Sequence, residues 1–194
     1  MSLYKFFNRF IPGWALLFLL GVSDPVHAQT MGQVVAWGSN ILNQTNLPPD
    51  LTNVVSIAAG SVHNLALRSN GTVAAWGGGI QGETNVPPGL SNVVAIAAAG
   101  FYGNNYGYSL ALKEDGTVVG WGAVTLPQLS NVVAIATGSY WWMALHEDGT
   151  VESNYPFLVN GLMALNGNPV SNIVAIASGS RHSLALTRDG TVVG

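Results

Sequence analysis

One hairpin sequence recurs four times in this chain of 194 residues. It reads ALRSNGTVAAWG from Ala66, ALKEDGTVVGWG from Ala111, ALHEDGTVESN from Ala144 and ALTRDGTVVG from Ala185. Asn-Gly or Asp-Gly between alternating apolar runs is a strong short-range signal of a β-hairpin. Because a type I′ turn needs positive φ at both central residues, which these dipeptides accept, the pattern predicts two-residue loops of that type.

Each hairpin is part of a longer repeat. A first segment precedes it, written NVVSIAAG, NVVAIAAAG, NVVAIATG and NIVAIASG in the four copies. The turn glycines Gly71, Gly116, Gly149 and Gly190 are 45, 33 and 41 residues apart. A period of this length is typical of propellers and solenoids. The predicted units are residues 32–70, 71–115, 116–148 and 149–189, with a further unit starting at 190–194.

The strands are apolar on both faces. In VVAIA, simple alternation places Val93, Ala95 and Ala97 on one face, and Val94 and Ile96 on the other. A sheet with one wet face would alternate polar and apolar residues instead. Sheets stacked around an axis cover both faces, so we predict an all-β fold, a β-propeller. The Ala- and Gly-rich first strand is expected innermost, and the Trp-bearing strand further out.

The repeat pattern, NVVAIAAG followed by HSLAL, DGTV and AWG, resembles the RCC1-like repeat family over residues 31–194. Its short repeats look most like those of secreted bacterial members, such as the β-lactamase inhibitory protein II type. The resemblance implies a seven-bladed propeller without catalytic chemistry, whose end loops bind protein partners. Two departures stand out: the stretch after Gly149 has lost the Trp-Gly pair, and Asn43 replaces the Gly before Gln.

About four units are present, against the seven that the resemblance implies. QVVAWG, from Gln33, is predicted to be the third strand of a blade whose first two strands the C-terminus could supply. In a closed ring, however, the C-terminal TVVG would occupy that same third-strand position. This competition favours a fragment of a longer array over a closed four-bladed ring. An unclosed array leaves apolar faces unstacked.

The N-terminus has the features of a secretory signal peptide. Lys5 and Arg9 precede the apolar run of residues 11–22, and the small-x-small sequence VHA ends at Ala28. We therefore predict a signal peptide over residues 1–28, repeats over 29–194, export from the cell, and no membrane span after cleavage. The alternative is an uncleaved N-terminal anchor, for which the run is short.

Charge and cysteine content narrow the function classes. Beyond residue 28 the chain has four basic residues against eight acidic ones, a formal charge near −4. No basic patch can be built from so few cations, which disfavours nucleic-acid binding. The chain contains no Cys, so its stability must come from packing.

Motifs that suggest chemistry have simpler interpretations. GGGIQG, from Gly77, satisfies G-x-G-x-x-G but leads into ETNVPPG, which cannot open a nucleotide-binding helix. His63 and His182 follow Ser61 and Ser180, yet other units hold an aromatic ring at that position, and catalysis would not accept the exchange. We predict no enzyme, cofactor or metal site. Trp37, Trp76 and Trp121 recur at one position and are predicted to pack in the core.

The loops between the first two strands should all emerge at one end of the propeller. They gather aromatic and basic residues of the types that anchor protein interfaces. The alternative is that several of these rings pack over the rim. The candidate partner-binding residues are His63, Tyr102, Tyr106, Tyr108, Tyr140, Trp141, Trp142, Arg181 and His182.

The sequence therefore predicts an exported, non-enzymatic module that binds another protein, of unknown identity, through these loops. One alternative is a structural, spacer or adhesion segment of a larger exported surface protein. Guanine-nucleotide exchange, as in nuclear members of the resembled family, is disfavoured by the predicted signal peptide.

Overall fold

Four antiparallel units of three consecutive strands follow one another along the chain. The structure, a computed structural model, describes residues 33–101, 106–154, 158–159, 162–165 and 168–194. The predicted signal peptide lies outside the described residues. The first two sheets are β1 (Val54–Ala59), β2 (His63–Arg68) and β3 (Val73–Gly77), then β4 (Val93–Phe101), β5 (Tyr106–Lys113) and β6 (Val118–Gly122).

The third sheet is longer than the others and the fourth is again three-stranded. In the third, β11 pairs with β9 and carries β10 and β12, so the stretch that lost the Trp-Gly pair adds strands to the repeat unit. Its strands are β7 (Val132–Thr137), β8 (Trp142–His146), β9 (Val151–Ser153), β10 (Leu158–Val159), β11 (Leu162–Leu165) and β12 (Asn168–Pro169). The fourth sheet is β13 (Ile173–Ser178), β14 (Ser183–Thr187) and β15 (Val192–Val193).

The hairpin turns differ from the predicted type I′. Gly71 N–H donates to the Arg68 carbonyl at 2.9 Å, and Arg68 N–H donates to the Thr72 carbonyl at 2.9 Å, which closes a three-residue loop. Only Gly71 has positive φ, at 78°. This arrangement is a type I turn followed by a left-handed glycine.

The Asn or Asp before each turn glycine was predicted to adopt positive φ, but its side chain instead accepts hydrogen bonds within the turn. The Asp115 carboxylate accepts hydrogen bonds from the Thr117 hydroxyl at 2.6 Å and the Thr117 N–H at 3.0 Å. Asn70 and Asp148 accept the same pair of bonds from Thr72 and Thr150. The Asp-Gly-Thr pattern is thus a side-chain-stabilised turn, since Asx residues mimic a backbone turn in this way. These hydrogen bonds from Thr117 lower the pKa of the Asp115 carboxyl.

Each first strand begins with a β-bulge that changes which face its first residue occupies. The register shifts between Val93 and Ala95 in β4, and at the equivalent place in β1, β7 and β13. Val93 therefore packs with Ile96, and not with Ala95 and Ala97 as simple alternation predicts. A bulge places two residues opposite one and breaks the period of two.

Successive sheets stack by a fixed rule. Each sheet has a leucine face, which carries residues such as Leu65 and Leu67 of its second strand, and an opposite alanine face, which carries the central Ala of that strand. Leu65 and Leu67 of the first sheet pack with Ala111 of the second. The leucine face of the second sheet meets the alanine face of the third, and that of the third meets the fourth.

The first strands of neighbouring sheets contact each other, β1 with β4, β4 with β7 and β7 with β13. The Thr137 hydroxyl of β7 donates to the Ala98 carbonyl of β4 at 3.1 Å. First strands that converge in this way are expected nearest the centre of a propeller. The fold is thus all-β, made of stacked propeller blades, as the sequence predicted.

Two predictions for the N-terminal segment are wrong. Residues 33–38 form no strand, whereas the predicted competitor for the third-strand position, Val192 and Val193, does pair with β14. Trp37 is 85% exposed, whereas Trp76 and Trp121 are buried as predicted. The equivalent Trp residues are covered because they lie within complete sheets.

Candidate functional site

The loops between first and second strands share one design. In the first sheet, Gly60 N–H donates to the His63 carbonyl at 2.9 Å, and Gly138 and Gly179 make the same bond with Trp141 and His182. The ring of the third residue after each glycine lies directly against that glycine. A β-carbon on Gly60 would stand 2.7 Å from His63 Cε1, and one on Gly138 would stand 2.5 Å from Trp141 Cε2. Glycine is required there by the close approach of the ring.

His63 and Trp141 reach from these positions into the next sheet, and Tyr108, the equivalent residue of the second sheet, does the same. His63 Nε2 lies 3.0 Å from the Ser109 hydroxyl. The Tyr108 hydroxyl donates to the Trp141 carbonyl at 2.5 Å. Trp141 Nε1 donates to the Ser183 hydroxyl at 3.1 Å. The three contacts form a polar ladder across the three junctions, and the side chains that build it are buried or partly buried.

His63 and Ser109 form a buried pair that cannot act on a substrate. Both side chains are buried between the first two sheets. The Ser109 hydroxyl donates to the Glu83 carbonyl at 2.8 Å, so His63 Nε2–H is the donor in the contact between them. Burial lowers the pKa of the His63 imidazole to about 4, so the ring is neutral near pH 7.

A second set of contacts ties the connector of one sheet to the next. Trp121 Nε1 donates to the Glu83 carbonyl at 2.8 Å, and Trp76 Nε1 donates to the Gln44 carbonyl at 3.0 Å. Asn64 Nδ2 donates to that same Gln44 carbonyl at 2.8 Å. Sequence reasoning missed Gln44, Asn64 and Glu83, the partners in these contacts. The matching tetrapeptides NQTN and GETN, each after a Trp-Gly segment, were the available signal.

The structure divides the predicted partner-binding residues into two groups. His63, Tyr108, Trp141 and Trp142 are buried in the packing between sheets. For these four the alternative interpretation, rings packed over the rim, describes the structure, because they have no accessible surface to offer a partner. Tyr102 and the side chain of Tyr106 lie outside the described residues.

The exposed candidates are Tyr140, Arg181 and His182. Tyr140 lies on the loop of the third sheet, and Arg181 on the loop of the fourth. The Ser139 and Ser180 hydroxyls lie 2.9 Å apart and join the two loops. We call the exposed surface of these two loops the loop patch, made of Tyr140, Arg181 and His182.

His182 has a second reason for being exposed. It is seated against Gly179 as His63 is against Gly60, but His63 is covered by the second sheet whereas the described chain places no sheet beyond the fourth. Its exposure therefore reflects the open end of the stack as well as the loop.

A groove of about 230 Å³ lies beside the first sheet. Its lining includes residues 34–37, Gln44, Thr45, Ile57, Ala59 and Trp76. The described ranges contain no cluster of three or more His, Cys, Asp or Glu able to hold a metal ion. The same ranges contain no helix long and apolar enough to cross a membrane.

Comparison with known proteins agrees with this architecture. Residues 54–83 and 173–194 match the Regulator of chromosome condensation (RCC1) repeat. No curated protein sequence matches the chain. The two matched stretches contain the first and fourth sheets, so the first and last described sheets both match the same repeat.

Solved structures resemble it at the level of the fold. Yeast RCC1 (Prp20), solved bound to Kap60, is 26% identical with a TM-score of 0.52, over 72% of this chain and 42% of that one. Prp20p from Saccharomyces cerevisiae, studied for binding to Gsp1p and histones, is 24% identical with a TM-score of 0.54, over 74% and 46%. The receptor kinase CR4 ectodomain from Physcomitrella patens is 20% identical with a TM-score of 0.53, over 70% and 36%.

The class that fold and comparisons define is the β-propeller built of stacked three-stranded blades. Within that class, residues 54–83 and 173–194 match the RCC1 repeat, and the chain is similar in fold to yeast RCC1 (Prp20). The chain spans less than half of the length of each of the three solved proteins.

Proposed function

We propose that this protein is an exported, non-enzymatic module that binds another protein through the loop patch. The observation that carries the proposal is that two exposed loops are fixed side by side on a rigid support. The Ser139–Ser180 contact joins the loops, and the buried Trp141 anchors one of them to Ser178 and Ser183 of the other sheet. Binding residues are commonly placed on loops that a rigid scaffold positions.

The composition of the loop patch supports a protein partner. Tyr and Arg are enriched among residues that dominate interface energies. Yeast Prp20, a similar propeller, was solved in complex with the protein Kap60. The non-enzymatic part of the proposal is supported by the burial of the His63–Ser109 pair, which keeps this contact between a His and a Ser side chain away from solvent.

Capture experiments with paired variants test the loop patch. The purified chain is immobilised and exposed to an extract of the surroundings in which the protein is found, and recovered proteins are identified and titrated. Tyr140→Ser combined with Arg181→Ser should weaken binding at least about tenfold, the size expected for interface anchors. Arg188→Ser removes an exposed charge at the opposite, hairpin-turn end and should leave affinity unchanged.

Equal recovery by the wild type and the Tyr140→Ser, Arg181→Ser variant would show that the loop patch is not the site. A fusion of residues 1–35 to a reporter tests export separately. Secretion of the reporter is expected, and retention in the cytoplasm would contradict that part of the proposal.

A further inference from the structure

The hairpin turn of the first sheet carries an amide where the other three turns carry a carboxylate. Asn70 precedes its glycine, whereas the equivalent residues are Asp115, Asp148 and Asp189. The side chain of Asn70 is exposed to solvent. An Asn-Gly pair can deamidate without an enzyme, because a glycine has no β-carbon to shield its backbone nitrogen from the preceding side chain.

This reaction needs water and no other reactant. The Gly71 nitrogen attacks Cγ of Asn70, and an N–Cγ bond forms as the bond from Cγ to Nδ2 breaks. The departing amide nitrogen takes up the proton of the Gly71 nitrogen and leaves as ammonia. Water then opens the succinimide ring. Cleavage at Cγ gives Asp, and cleavage at the backbone carbonyl carbon gives isoaspartate.

The folded turn restrains the attacking nitrogen. Gly71 N–H donates to the Arg68 carbonyl at 2.9 Å, and the Gly71 carbonyl accepts the Val93 N–H of the second sheet at 3.1 Å. Asn70 is the third residue of the type I turn, where ψ is about 0°. Ring closure must swing the Gly71 nitrogen towards Cγ, so the peptide has to rotate away from this ψ and break the hydrogen bond to Arg68.

The folded turn also restrains the side chain that is attacked. The Oδ1 atom of Asn70 accepts hydrogen bonds from the Thr72 hydroxyl at 2.7 Å and from the Thr72 N–H at 3.1 Å. Rotation of the peptide that follows Asn70 would carry the Thr72 N–H away from Oδ1. Both bonds therefore oppose ring closure.

We propose that Asn70 is a latent deamidation site, which the folded turn protects and which local opening of the first hairpin exposes. Thr72 is the positioning residue, because its hydroxyl and N–H hold the Asn70 amide away from the Gly71 nitrogen. The modification would mark molecules in which this hairpin has opened.

The two products differ in their effect on the hairpin. Asp restores the residue that the other turns contain, and its carboxylate can accept the two bonds that Asp115 accepts from Thr117. Isoaspartate adds a carbon to the backbone of the turn and is expected to disturb the pairing of Leu67 with Val73.

Peptide mass spectrometry of the full chain tests the proposal. The protein is kept at mildly alkaline pH, folded in buffer or unfolded in guanidinium chloride, in water labelled with a heavy oxygen isotope that marks each hydrolysed ring. Modification of Asn70 should be at least about tenfold slower in the folded protein, because ring closure must first break the hydrogen bonds of the turn. Thr72→Val, which removes the hydroxyl but keeps the shape of the side chain, should react roughly fivefold faster than the wild type in buffer.

Two further variants isolate the hydroxyl. Thr72→Ser keeps it and should react as slowly as the wild type. Thr150→Val is the matched control, since it removes the same hydroxyl from the turn of Asp148 and should leave the rate at Asn70 unchanged. Circular dichroism confirms that each variant is folded in buffer.

Three results would overturn the proposal. The first is an equal rate at Asn70 in the folded and unfolded chain, and the second is no modification at Asn70 in the unfolded chain. The third concerns Thr72: either Thr72→Val reacts no faster than the wild type, or Thr150→Val accelerates the reaction as much.

Discussion

Strands β5 and β14 contain the same tetrapeptide, Ser-Leu-Ala-Leu, in the same position of the repeat. In β5, Leu110 and Leu112 are 1% and 2% exposed, because the third sheet covers them. In β14, Leu184 and Leu186 are more than a third exposed. The alanine of each strand is buried in both cases.

The difference shows that stability in this fold comes from the stacking of neighbours. A blade with a neighbour on one face only, such as the fourth sheet, has the correct strands, turns and pairing. What it lacks is cover for its second apolar face, and burial of a Leu side chain contributes about 1.5–3 kcal/mol. The same residues thus form core in one blade and open surface in another.

The largest expected effect comes from truncating the matched leucines. Leu110→Ala should lower the free energy of unfolding by about 4 kcal/mol, since it removes buried methyl groups and leaves a cavity. Leu184→Ala should cost less than about 0.5 kcal/mol, because its side chain already contacts water. Equilibrium denaturation in urea measures both values. Equal losses for the two variants would mean that the face of β14 is covered in solution.

The next effect is a pH dependence that His63 imposes. The pKa of the folded imidazole is about 4, below its ordinary value of 6.5, so the unfolded chain binds the proton first as the pH falls. The contribution of this residue to the free energy of unfolding is therefore fully present above about pH 6.5. It falls by about 3 kcal/mol as the pH drops to about 4. Unfolding curves between pH 7 and pH 4 should show this loss.

One variant isolates the contribution of His63. His63→Gln should flatten the pH dependence over that range, because glutamine has no titrating group. If His63→Gln keeps the full slope, the pH dependence arises from carboxylates and the imidazole is not desolvated as described.

The smallest of the three effects separates two turn glycines with the same conformation. Gly149 and Gly190 have φ of 83° and 86°, so alanine at either position carries left-handed strain of about 1–2 kcal/mol. Gly149→Ala also crowds Asn172 of the next sheet and should cost about 1 kcal/mol more than Gly190→Ala. Thermal denaturation at fixed pH compares the two. A greater cost at Gly190 would contradict an open turn at the fourth sheet.

Much of the fold could be predicted from the sequence. Apolar runs and repeated Asp-Gly turns locate the hairpins, and the absence of a polar face requires stacking. The turn type was wrong, because the Thr after the glycine supplies two hydrogen bonds to Asp115 that favour a three-residue loop. Val93 was assigned to the wrong face, because no local signal marks a bulge.

The site was harder to predict. Composition does not distinguish a ring that binds a partner from one that packs against the next blade. The signal that was overlooked is the glycine three residues earlier, at Gly60 and Gly138, whose missing side chain leaves room for His63 and Trp141. Tyr140 and Arg181 lie two residues after Gly138 and Gly179, one position before the packed ring, and both are exposed.

The central claim is that blades apolar on both faces persist only where neighbours cover them. Hydrogen–deuterium exchange of the full chain tests this most directly. We expect amides of β5 to exchange only through global unfolding, and those of β14 to exchange much faster by local opening. Equal protection of the two strands would contradict the account.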